Sequence, residues 1–167
     1  TINYFKNLKK KYGKAYPRLT EIVEFESIES TKVVSNNAKL YANKAEGFVG
    51  TNLKKEDNAE YICDCSDLSE IIVIHNDGKY VVTKVSEKAF FGKDILYVGI
   101  FNRNDQRTIY NVIYREGKTA VSYAKRFAVT SVTRDKEYDI TQGTPGSQIL
   151  WLTVNHNGEA ESVKIYF

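Results

Sequence analysis

The sequence predicts an all-β fold, propeller-like and built of four-stranded blades of about 40 residues, with a short helix in front. Three observations point there. From about residue 20 onward Val, Ile, Thr, Tyr and Phe dominate, broken by Asn, Asp and Gly, the texture of strands and turns. Turn signals stand between apolar runs at Asn76-Asp77-Gly78, Glu116-Gly117 and Asn157-Gly158, with the glycines 39 and 41 residues apart. The first segment alone carries helical spacing.

That segment places Ile2, Phe5, Leu8 and Tyr12 on one face of a helix. Gly13 follows as a C-terminal cap, Pro17 discourages continuation, and Lys9, Lys10 and Lys11 suit the negative end of the helix dipole. Residues 1–19 read as a helix and connector leaving a preceding element, and residues 20–167 as the β domain. Within 20–30, Val23 and Phe25 alternate with Glu24 and Glu26, which leans to strand.

The hairpins come next. Ile71–Ile74 leads through the Asp77-Gly78 turn to Tyr80–Val85. Ile109–Tyr114 leads to Ala120–Phe127, and Ile149–Val154 to Ser162–Phe167. One repeat earlier, Asn36-Asn37-Ala38-Lys39 lies between Val33-Val34 and Leu40-Tyr41, so four hairpins recur. The rival architecture is a single β-sandwich or barrel with evenly spaced hairpins, since short regular strands mark those folds too.

Composition excludes several classes. The 167 residues are 42% hydrophobic and 27% charged, ordinary for a globular chain and contrary to wholesale disorder. No apolar run approaches the roughly 18 residues of a membrane span, and the first residues lack a signal-peptide core. The chain has no Met, which marks it as a piece of something longer. Cys63 and Cys65 sit too close for a relaxed mutual disulfide, and with only His75 and His156 besides they make no zinc cluster. They read as two reduced thiols on one strand.

The net charge of +3 hides three zones. Residues 1–20 carry six basic and no acidic side chains; 21–70 carry five basic and eleven acidic ones; 71–134 carry eleven basic and five acidic ones. A local basic surface can hold phosphate while the total stays near neutral.

No catalytic constellation stands out: there is no phosphate loop, no Gly-x-Ser-x-Gly and no acid–base cluster. His75 and His156 read as hairpin-tip residues. Asp64, Asp67 and Glu70 form an acidic run that reads as a solvated loop, or as a weak attractor for a cation. The basic residues carry more. Lys39, Lys79 and Lys118 recur one residue after successive turn positions, and Lys44, Lys84 and Lys164 six residues after, with Tyr123 in the third unit. Such ladders would line one face with positive charge, a sequence-independent match to phosphates. Strand parity turns the two offsets to opposite faces unless a bulge intervenes, and Lys also protects exposed sheet edges.

The stretch Tyr12-Gly13-Lys14-Ala15-Tyr16-Pro17-Arg18-Leu19-Thr20-Glu21-Ile22 resembles the exit from the breakage-reunion core of bacterial type IIA topoisomerase A subunits, with Leu19 where that family often has Arg. Gly47-Phe48-Val49-Gly50-Thr51, Lys84-Val85, Phe91-Gly92-Lys93 and Lys125-Arg126-Phe127 resemble blade motifs of the C-terminal β-pinwheel of those subunits. Residues Ser131–Asp139 and Asn157–Glu161 are similar to versions found in topoisomerase IV and gyrase. The resemblance implies a non-catalytic domain that bends duplex DNA and helps present a transport segment. Its partners are double-stranded DNA, the ATPase B subunit, plus the rest of the A subunit, in the cytoplasm and away from membranes. It implies no catalytic or metal residue in this chain, with ATP and Mg2+ used elsewhere in the parent. The DNA-binding candidates are Lys84, Lys125, Arg126, Lys79, Lys118, Lys93 and Arg134. No Gln-, Arg- and Gly-rich box like that of gyrase occurs, which favours topoisomerase IV. Four hairpins imply an incomplete wheel with an unpaired edge. The alternative is a propeller-like protein-interaction module with Tyr80, Tyr110 and Tyr123 as contacts.

Overall fold

The computed structural model describes residues 2–16, 37–53 and 58–164. The chain forms two compact units, Thr1–Lys32 and Val33–Phe167. The expected boundary after residue 19, the strand-like stretch 20–30 and Val33-Val34 lie outside the described residues.

In the first unit, α1 runs Ile2–Tyr12 as its spacing predicts, with Lys9, Lys10 and Lys11 in its last turn. Gly13 does not take the left-handed conformation expected of a cap. Its N–H instead donates to Lys9 O at 2.9 Å, extending the helical ladder.

Among the described residues the second unit holds eleven strands: β1 Ala38–Asn43, β2 Phe48–Gly50, β3 Glu60–Cys65, β4 Glu70–His75, β5 Lys79–Lys84, β6 Ala89–Phe90, β7 Ile95–Phe101, β8 Ile109–Arg115, β9 Ser122–Phe127, β10 Glu137–Asp139 and β11 Gln148–Asn155. They form three antiparallel sheets, ordered β3-β1-β2-β6, β10-β5-β4-β7 and β11-β8-β9. One rule generates all three. A hairpin (β1-β2, β4-β5 or β8-β9) comes first, and a later strand (β3, β7 or β11) flanks its first strand. In the first two sheets a segment after the following hairpin returns to flank the second strand: β6 on β2, and β10 on β5. The blade-like, all-β prediction holds, but each complete blade takes its fourth strand from beyond the next hairpin.

The second sheet packs on both of its faces. Ile71, Val73 and Val98 join Leu40, Ala42, Val49 and Cys65 of the first sheet. Ile72, Ile74 and Val82 join Tyr110, Val112, Tyr114 and Ile149 of the third. This explains why β4 reads as the continuous apolar run Ile71–Ile74 and is buried at all four positions, whereas β8 alternates. Fully burying one such side chain contributes about 1.5–3 kcal/mol.

One of the four expected hairpins sits elsewhere, and another does not form among the described residues. Ala38 and Lys39 are not a turn; they open β1 and pair with Cys65 and Asp64. The first turn is 44–47, where Gly47 supplies φ +83 and donates to Asn43 O at 2.8 Å, and the Asn43 carboxamide accepts from Glu46 N at 3.0 Å. That side-chain bond makes the turn at Asn43 rather than at Asn36-Asn37. At the other end, β11 forms as expected but its partner is β8. Residues 159–164 form no strand, and 165–167 lie outside the described residues.

The three hairpin turns share one end of the sheets. Ile95 N donates to Lys44 O at 3.1 Å, Asn76 N to Asp94 O at 3.1 Å, and Ile149 N to Asn76 O at 2.7 Å. Gly117 N donates to Ser147 Oγ at 3.1 Å, joining the third turn to the same end. The far end of the second sheet is marked by Glu70, directly opposite Lys84 on one side and Phe101 on the other.

Candidate nucleic-acid interface

The seven basic residues singled out from sequence divide into three places. Lys79, Lys93 and Lys118 lie at the hairpin-turn end. Lys84 and Arg134 lie at the far end of the second sheet. Lys125 and Arg126 lie on β9, hydrogen-bonded to β8 at one side of the third sheet. Lys79 and Lys84 open and close the same strand, so they stand at opposite ends of β5 and, by parity, on opposite faces. The ladders therefore form no single track, and Lys39, inside β1, breaks the first of them.

Four of the seven are engaged within the chain. Lys79 Nζ pairs with Glu137 at 3.0 Å, and that carboxylate pushes the ammonium pKa up. Arg134 grips Glu70 through Nε at 2.8 Å and Nη2 at 2.5 Å. Arg126 Nη2 donates to Gly158 O at 2.8 Å. Lys125 shares the face of Tyr110, Val112 and Tyr114 through the β8–β9 register. Its ammonium lies 5.6 Å from the centre of the Tyr114 ring and donates to Ile140 O. Lys84, Lys93 and Lys118 have no ion pair among the described residues, and all three are exposed.

That Lys84 has no ion pair among the described residues has a cause. The carboxylate opposite it, Glu70, is already committed to two guanidinium groups. Besides Arg134, Arg103 contacts it through Nε at 2.8 Å and Nη2 at 3.0 Å. Burial raises the Glu70 carboxyl pKa, but the hydrogen bonds from Arg103 and Arg134 outweigh it and hold the group below its ordinary value. Arg103 is not among the sequence candidates. The only sequence signal for it is its place in the basic stretch 71–134, because nothing local links it to Glu70.

Glu70 is drawn away from the acidic run by its arginines, and Asp64 accepts from Tyr61 Oη at 3.0 Å. Cys63 and Cys65 are free thiols on β3, and burial pushes both pKa values up. His75 ends β4 at the β4–β5 hairpin tip, as expected, whereas His156 follows β11, where residues 159–164 form no strand and no hairpin closes among the described residues. Of the tyrosines considered as protein contacts, Tyr110 is a core residue, 2% exposed and stacked on Phe127. Tyr80 is half-buried against Tyr138. Tyr123 is exposed and stacks on Tyr114.

Comparison with known proteins adds a family. The profile of the family described as the topoisomerase C-terminal domain of Bacteroidota matches residues 39–166. The chain is also 30% identical, over 140 residues, to the A subunit of DNA topoisomerase 4 from Borreliella burgdorferi. That match covers 83% of this chain and 22% of the relative, so the chain spans about a fifth of the relative's length. No solved structure matches.

Proposed function

The chain belongs to the topoisomerase C-terminal domain family, and from that premise we propose that it is the DNA-holding domain of the A subunit of a type II topoisomerase, of the topoisomerase IV kind. The observation that carries the reading is the family match across the stacked sheets, residues 39–166. Exposed cations at both ends of the sheets, with Lys84, Lys93 and Lys118 free of ion pairs among the described residues, support it. Phosphates are the natural partner for such a surface, because contact with them releases counterions whatever the base sequence.

On this reading the domain does no bond chemistry. Strand cleavage, ATP and Mg2+ belong to the ATPase B subunit, or to the rest of the A subunit, of a cytoplasmic parent enzyme. This domain holds a duplex by its backbone and helps present it as the transport segment. Bending a site of 20–30 base pairs costs about 1–6 kcal/mol, which several phosphate contacts offset. The test is competition among unrelated duplexes of equal length for the isolated chain. Equal affinity within about twofold is expected. Strong preference for one sequence would overturn phosphate-dominated holding, and no duplex binding would favour a protein partner.

A further inference from the structure

We propose that Arg103 and Arg134, held on the shared carboxylate of Glu70, form a rigid phosphate-binding pair at the far end of the second sheet. The proposal rests on the DNA-holding reading and assigns it a specific contact.

Three chain segments build the pair. Glu70 opens β4, Arg103 follows β7, and Arg134 lies between β9 and β10. The carboxylate is beneath them, with its side chain 10% exposed, while those of Arg103 and Arg134 are 47% and 41% exposed. Each guanidinium turns its Nε and one Nη inward. Arg103 also donates its other Nη to Val132 O at 3.2 Å, which fixes the plane of the group. A guanidinium has five N–H donors, so each keeps donors directed away from Glu70.

The charge at this end is in surplus. Two guanidinium groups hold the one Glu70 carboxylate, Lys84 stands opposite Glu70 in the strand register, and the neighbouring Asp135 already accepts from Thr83 Oγ1 at 2.5 Å. One positive charge remains after both acids are counted. A free surface Lys must lose rotamer freedom when it meets a phosphate. These two arginines are oriented beforehand, and the planar fork suits phosphate oxygens as an ammonium does not.

The test uses the whole chain, random-sequence duplex, a salt series and the 15N resonances of the arginine Nε–H groups. The Arg103 and Arg134 resonances are expected to shift on duplex addition. Arg103→Gln and Arg134→Gln should each weaken binding roughly five- to tenfold at 0.1 M salt and lower the log–log slope by about 1. Arg103→Lys keeps the charge but not the fork, so it should weaken binding while leaving the slope nearly unchanged. This variant also guards against a glutamine variant that fails to fold. If duplex binds but neither resonance moves, and the variants lower only the melting temperature, the pair is a structural clamp and the proposal fails while the DNA-holding reading stands. If the wild-type chain binds no duplex at low salt, both fall.

Discussion

Gly47 and Gly92 meet so closely that a Cβ on Gly47 would lie 2.1 Å from the Gly92 carbonyl oxygen. Both have positive φ, +83° and +106°. The contact joins the two motif fragments Gly47–Gly50 and Phe91–Lys93, with Phe91 N donating to Gly47 O at 2.8 Å. Through it the chain returns from the second hairpin to lay β6 on β2. Gly47→Ala is expected to cost at least about 1–3 kcal/mol in urea unfolding, from backbone strain with the clash added. Gly92→Ala should cost less, because the nearest atom to its Cβ is His75 Cε1 at 3.6 Å. Equal losses would contradict the backbone contact.

Glu70 ties three distant segments together. Removing its carboxylate in Glu70→Ala should lower stability by about 1.5–3 kcal/mol, the range for hydrogen bonds to charged groups. Lys79→Ala breaks only an exposed pair with Glu137 and should leave the melting temperature unchanged within error. A larger loss at Lys79 than at Glu70 would contradict this ranking.

Acid should loosen the β8–β9 turn. Hydrogen bonds from the Thr119 hydroxyl, the Thr144 side chain and the Thr119 amide pull the Glu116 carboxyl from its ordinary 4.5 down to about 2. A depressed carboxyl stabilises fully above its unfolded pKa, and that stabilisation disappears as pH falls through the folded value. The turn should therefore be intact at pH 5 and loosen between about 4.5 and 2. Amide exchange at Thr119, which donates to Glu116 Oε2 at 2.5 Å, reads this out. An NMR midpoint near 4.5 for Glu116 would contradict it.

Among the described residues β9 pairs with β8 alone, and its other edge is the position that β6 and β10 fill in the first two sheets. An open edge invites pairing between copies of the chain. Ala124→Lys, at an exposed position of β9, should reduce concentration-dependent self-association in sedimentation velocity. Unchanged association would place the contact elsewhere.

Features encoded by local chemistry are legible in the sequence. The Ile2–Tyr12 spacing gives α1, Asp77-Gly78 gives the β4–β5 turn, and Glu116-Gly117 marks the β8–β9 turn. Features made by pairing across the chain are not. Ala89–Phe90 and Glu137–Asp139 are too short to carry a pattern and become strands only by pairing with β2 and β5. The bonds from Arg103 and Arg134 to Glu70 span 33 and 64 residues. The lysine ladders mislead because they assume a turn at Ala38, whereas Asn43 and Gly47 make it further along. Tyr110, a contact only in the alternative protein-interaction reading, falls on the buried face of β8 with Val112 and Tyr114.

The most direct test of the account is the affinity of this chain for random-sequence duplex as a function of salt. The account expects a dissociation constant of about 1–100 µM near physiological salt and a straight log–log dependence with a slope of several units. Binding that ignores salt, or no binding even at low salt, would contradict it.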